Sequence, residues 1–233
     1  MILTSLDPLY WLFIIPGLIL AGIASAKTKG TFNKYGKVAS RSRLSGAQAA
    51  RRMLDRNGLH EVEVRRVRGF LSDHYNPANR TLNLSPDVYD SPSLSAIGVA
   101  CHEAGHALQH AHGYVPLQLR SALVPVTQFS SWGSYVFIFL GIFMNSMGLI
   151  KFGVGLFSVG LLFALVTLPV EWDATVRAKR QMVSDGIVLP NEAQDAGKVL
   201  DAAFLTYVAA AVTALLTLLY YLMRLGLLGG RDE

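Results

Sequence analysis

Four long apolar stretches constrain this chain more than any other feature. Residues 9–26, 121–150, 152–170 and 202–223 contain no Asp, Glu, Lys or Arg. A helix needs about 20 apolar residues to cross a bilayer core, so each stretch is a candidate span. The second is longer than needed and opens with a polar, Pro-containing lead, so its membrane part is expected near residues 132–147. The first has no basic lead and starts at Asp7 and Pro8, which favours an uncleaved anchor over a signal peptide. Only 16% of the 233 residues are charged and 52% are hydrophobic. Ordinary soluble domains carry about 25% charged residues, so the balance excludes a disordered chain and points to lipid. The single cysteine, Cys101, excludes an internal disulfide framework and a four-cysteine zinc module.

The net charge of +5 is best read through its distribution. Most Lys and Arg residues lie in 27–120, with a second group in 171–201. Lys27, Lys29, Lys34 and Lys37 follow the first stretch, and no basic residue precedes it. The positive-inside rule then predicts a cytoplasmic 27–120 and an N-terminus outside. Four spans return 171–201 to the cytoplasm and leave the C-terminus outside. No stacking motif or recognition helix accompanies the basic residues, so nucleic-acid binding is not expected. The predicted organisation is an N-terminal anchor (1–26), a cytoplasmic domain (27–120) and two transmembrane helices (121–170). A cytoplasmic segment (171–201) and a C-terminal transmembrane helix with its tail (202–233) complete it.

The cytoplasmic domain reads as a small α+β unit. Residues 45–57 have the pattern of a capped helix, with Gly58 at the stop. Residues 61–68 alternate Val62 and Val64 with charges, as a strand does. Residues 76–79 read as a turn, and 81–84 as a return strand. Ser91 or Ser93 can cap a further helix that runs to about His112 and stops at Gly113.

That helix carries CHEAGHALQH at residues 101–110, which contains the order H-E-x-x-H. His102 and His106 lie about 40° apart on one helical face, with Cβ atoms roughly 6 Å apart. Two imidazoles so placed can bind one Zn²⁺ at about 2.0–2.1 Å each. Glu103 can reach a metal-bound water without occupying a ligand position. A metal lowers the pKa of such a water towards about 7, and Glu103 as general base takes its proton for attack on a carbonyl. Small Ala104 and Gly105 allow a substrate or another backbone to approach. His110 drifts a further 40° or so and is expected outside the coordination set. Cys101 is expected in packed core.

The runs SDHYNP (72–77), LNLSPDVY (82–89), HEAGHALQ (102–109) and LPVEWDA (168–174) resemble the YugP-type neutral membrane zinc metallopeptidases. The resemblance covers nearly the whole chain. It implies a zinc-dependent endopeptidase in a bacterial cytoplasmic membrane, distantly similar in layout to the HtpX and CAAX-prenyl protease group. It further implies His102 and His106 as ligands, Glu103 as catalytic and Glu171 as third ligand, a gluzincin-like set. The chain departs from the pattern at Trp172 and Thr175, where the family usually has Phe and Ser. In the HtpX-like pattern an acid occupies the place of Thr175.

His112 is a decoy for the third ligand. Its spacing from His106 matches metzincins, but that pattern needs a glycine turn where this chain has Gln109. Glu171 instead ends the third apolar stretch, on the side assigned to the motif helix. Asp173 faces about 200° away from it, so only one of the two can reach the site.

A short strand within residues 72–77 would offer an unpaired edge to an extended peptide. His74 or Tyr75 could then donate to the tetrahedral oxyanion. Protein or peptide substrates are expected, membrane-associated or misfolded ones among them. A non-catalytic zinc-binding scaffold is the rival reading, against which Glu103 argues because a structural site needs no base. An intramembrane protease is a second rival, but the motif helix is too polar at its ends to span lipid.

Overall fold

The computed structural model describes residues 7–69 and 72–228. The start of the N-terminal anchor and the end of the C-terminal tail lie outside the described residues. Among the described residues, four helices are long and apolar enough to cross a membrane: α1 (Pro8–Tyr35), α5 (Val115–Phe143), α6 (Met147–Ser184) and α7 (Pro190–Arg224). The remaining elements are α2 (Gly46–Arg56), β1 (Glu63–Arg66), β2 (His74–Asn76), β3 (Thr81–Leu84), α3 (Pro86–Tyr89) and α4 (Leu94–Ala111). The protein is thus mostly helical, with one small sheet.

Three of the long helices, α1, α6 and α7, outrun their apolar stretches, whereas α5 begins ahead of its stretch and ends within it at Phe143. α1 continues through Lys27, Lys29 and Lys34, and α6 through Glu171, Asp173 and Arg177. The Pro-containing lead expected ahead of the second span is itself helical. Its proline, Pro125, lies inside α5 rather than in the first turn, so the helix runs past a residue that lacks the donating N–H.

The chain divides into two compact units. The first comprises Met1–Ala24, Leu119–Leu168 and Thr206–Glu233. Here the Asp7 carboxylate accepts from the Leu9 N–H and the Tyr220 hydroxyl, each at 3.0 Å, and pairs with Arg224 at 2.7 Å. These bonds tie the start of α1 to the end of α7. Ile138, Ile150 and Val154 pack between α5 and α6. Leu12, Ile19, Trp132 and Phe139 are exposed, as lipid-facing side chains would be.

The second unit comprises Ser25–Gln118 and Pro169–Leu205. Its centre is α4, flanked by α2 and the sheet. α2 begins with a full capping box: Ser45 accepts from the Gln48 N–H, and the Gln48 side chain accepts from the Ser45 N–H. Such a cap contributes about 1 kcal/mol. Gly58 (φ 75°) follows α2 in the left-handed region, as the stop signal predicted. Of the two serines that could cap α4, Ser93 does so, accepting from the Ala96 N–H.

The sheet has the order β1-β3-β2, with β1 parallel and β2 antiparallel to the central β3. The strand expected over 61–68 is shorter, Glu63–Arg66. On β3, Leu82 and Leu84 enter the core with Met53, Leu54, Ile97 and Leu108. Full burial of each such side chain stabilises by about 1.5–3 kcal/mol. Asn83, also buried, donates to Thr81 Oγ1 and to His74 Nε2, so the polar side of the strand is satisfied. The β2–β3 turn has Arg80 at φ 53°, and Asn76 Oδ1 accepts from the Ala78 N–H at 2.9 Å.

Candidate metal centre

Two helices far apart in sequence build the site. α4 presents His102 and His106 one turn apart, with ring centroids 4.8 Å apart and planes at 82°. α6 presents Glu171, 1% exposed. Glu171 Oε2 lies 3.1 Å from His102 Nε2 and 3.7 Å from His106 Nε2. One ligand atom from each of the three residues lies within 4.8 Å of the others. Two donors bound tetrahedrally at zinc's usual bond lengths sit about 3.3 Å apart. A nitrogen, nitrogen, oxygen set at this spacing therefore fits zinc. Three protein donors also leave the fourth position that a catalytic site keeps open.

Gly105 makes the approach of the two helices possible. A Cβ at this position would lie 2.8 Å from the Ala174 carbonyl oxygen of α6. The backbone that Gly105 admits is thus that of the helix bearing Glu171.

The other nitrogen of each histidine is engaged as well. His106 Nδ1 meets Gln109 Oε1 at 2.9 Å, and His102 Nδ1 meets Thr175 Oγ1 at 3.3 Å. Thr175, which stands where the HtpX-like pattern has an acid, thus supplies a partner to His102. Burial disfavours the imidazolium of His106. The hydrogen bond and charge of Glu171, the charge of Glu103 and the Gln109 contact outweigh it and raise the pKa above the ordinary value.

Glu103 faces the sheet. Its Oε2 accepts from the backbone N–H of Tyr75 on β2 at 3.0 Å. The Tyr75 hydroxyl goes elsewhere, sharing a hydrogen bond with His110 Nδ1 at 2.9 Å. His74 Nδ1 donates to the Ser72 carbonyl at 2.8 Å, while its Nε2 accepts from Asn83. Asp73 anchors the start of β2, accepting from the Ser85 N–H at 2.7 Å and from its hydroxyl. Burial lifts the Asp73 pKa above the usual value, and the nearby charge of Glu103 adds to it.

His112 lies outside the cluster and accepts from Arg177 Nη1 at 3.2 Å. Asp173 does not join the ligand set either, but it accepts from Gln109 Nε2 at 2.8 Å and so connects to His106. Cys101 is fully buried, and burial pushes its thiol pKa far above the ordinary value, as suits packed core. Sequence reasoning weighed Gln109 only as a missing glycine, although its i+3 spacing from His106 put it on the same face.

A helix-borne histidine pair that could hold a metal with a carboxylate from a second helix thus lies in a chain whose described residues include four apolar helices. Residues 10–226 match the family described as "Putative neutral zinc metallopeptidase", and the chain belongs to it. It is 47% identical over 225 residues to "Putative membrane protease YugP" of Bacillus subtilis (strain 168), covering 97% of this chain and 99% of that protein. No solved structure matches.

Proposed function

We propose that the protein is a membrane-bound zinc-dependent endopeptidase with Glu103 as its general base. The observation that carries this reading is the convergence of His102, His106 and Glu171, with Glu103 next to a ligand and hydrogen-bonded to an edge strand. His102, His106 and Glu171 would hold zinc, which when bound would supply Lewis acidity at the site. Glu103 takes the proton from the attacking water at its carboxylate and returns it to the leaving amine nitrogen. β2 lies at the sheet edge and offers main-chain pairing to an extended peptide, which suits a protease that tolerates many side chains. Of the two oxyanion candidates on that strand, Tyr75 keeps a hydroxyl that can turn to donate, whereas both ring nitrogens of His74 are engaged by Ser72 and Asn83.

The basic residues after α1 support a cytoplasmic position for the second unit and an N-terminus outside. Substrates are then met at the cytoplasmic membrane surface, and membrane-associated or misfolded proteins suit that place. The presence of Glu103 weighs against a non-catalytic scaffold.

Glu103→Gln keeps the size of the side chain and removes the base. Zinc content should be unchanged, while cleavage of an unfolded reporter should fall about 10²–10⁴-fold. Full activity in this variant would favour the scaffold reading or a different base.

A further inference from the structure

Gln109 is fully buried one turn beyond His106. A carboxamide has a donating end and an accepting end of nearly equal shape, so its neighbours decide which way it points. Gln109 Nε2 donates to the Val170 carbonyl and to Asp173 Oδ2, both at 2.8 Å. Neither partner can donate. Turning the amide over would set Oε1 against two acceptors, so Oε1 must face His106 Nδ1, at 2.9 Å. Asp173 is itself held by Arg177, whose Nε donates to the same Oδ2.

An amide oxygen only accepts, so His106 Nδ1 must carry the hydrogen. In a neutral imidazole the other nitrogen then has the lone pair, and that nitrogen, Nε2, is the one facing Glu171. His102 is under no such constraint, because the Thr175 hydroxyl at its Nδ1 can either donate or accept.

We infer that Gln109 is a positioning residue that fixes His106 in the Nδ1–H tautomer, with Asp173 and the Val170 carbonyl orienting its amide, so that Nε2 is presented to the metal. This inference rests on the reading of His106 as a zinc ligand. The tautomer itself can be read without metal.

The test uses the full chain in detergent micelles with ¹⁵N-labelled histidine, metal-free and at a pH above the His106 pKa. Long-range ¹⁵N–¹H correlations report the tautomer, and the His106 signals are those lost in His106→Ala. The wild type should be Nδ1–H. Gln109→Met, close in shape but unable to accept, should mix the two tautomers. Its zinc affinity, from competition with a chromophoric chelator, should fall about 10–100-fold. Asp173→Asn keeps an oxygen for Gln109 Nε2 and should retain the wild-type tautomer. An Nε2–H signal in the wild type overturns the inference, as does an unchanged tautomer in Gln109→Met. Should that variant not fold, the wild-type spectrum alone decides. A wild type that binds zinc no better than His102→Ala sinks the metal reading instead, leaving the tautomer result to stand or fall by itself.

Discussion

The backbone N–H of Tyr75 and the carboxylate of Glu103 are joined at 3.0 Å, so the edge strand itself holds the proposed base. The position of Glu103 therefore depends on β2 as much as on α4. Asp73 pins the start of that strand to Ser85, and the Tyr75 hydroxyl pins its middle to His110. An extended peptide pairing with β2 would compete with Glu103 for the Tyr75 N–H, freeing the carboxylate as the peptide docks.

Tyr75→Phe separates the two contacts of this residue. It removes the bond to His110 and leaves the N–H to Glu103 in place. Thermal unfolding should show a loss of about 1 kcal/mol, with zinc retained. Turnover should stay within a few-fold of wild type if the hydroxyl only secures the strand. A much larger drop in kcat at unchanged KM would assign the hydroxyl to the oxyanion.

Glu171→Ala should lower zinc occupancy strongly, because it removes one of three donors and leaves two neutral imidazoles. His112→Ala should leave occupancy close to wild type, since His112 contacts Arg177 outside the cluster. Metal analysis of the purified variants checks both. The opposite pattern would overturn the ligand assignment.

Gly105→Ala inserts a methyl group 2.8 Å from the Ala174 carbonyl oxygen. The two helices must separate, at a cost of about 1–3 kcal/mol. Glu171 moves with its helix, so zinc affinity should fall alongside stability. Gly155→Ala on α6 meets nothing within 4 Å and should leave zinc binding unchanged. Equal behaviour of the two variants would mean that the close approach at Gly105 is unimportant to the site.

Labelling of introduced cysteines tests the orientation. Cys101 is fully buried, so background reaction with an impermeant thiol reagent should be low. A cysteine at exposed Lys34 should be protected in intact cells, and one at exposed Met144, in the α5–α6 turn, should react. Reversed labelling would place the second unit outside the cell.

What could be read from sequence is what local chemistry decides. α4 was foreseeable from end to end because its Ser93 cap, its histidine spacing and the positive-φ Gly113 beyond it are short-range signals. β3 was equally plain, since Leu82 and Leu84 alternate with polar residues. The full extent of α5 was not read, because a polar lead containing Pro125 gives little apolar signal, yet the helix runs through it. The role of Thr175 at His102 and the link from Asp173 through Gln109 were also missed. Those contacts depend on how closely α4 and α6 approach at Gly105, and no periodicity in either helix encodes that distance.

A strand edge that can receive a substrate can also receive another copy of the same chain, so the brevity of β2 has a protective side. Three residues offer too few main-chain groups to template a growing stack, and the N–H of the middle one is already engaged by Glu103. Crowded together in a bilayer, neighbouring molecules would thus gain little from pairing edge to edge. A peptide that also reached the proposed metal site would have contacts there that a second copy of β2 lacks.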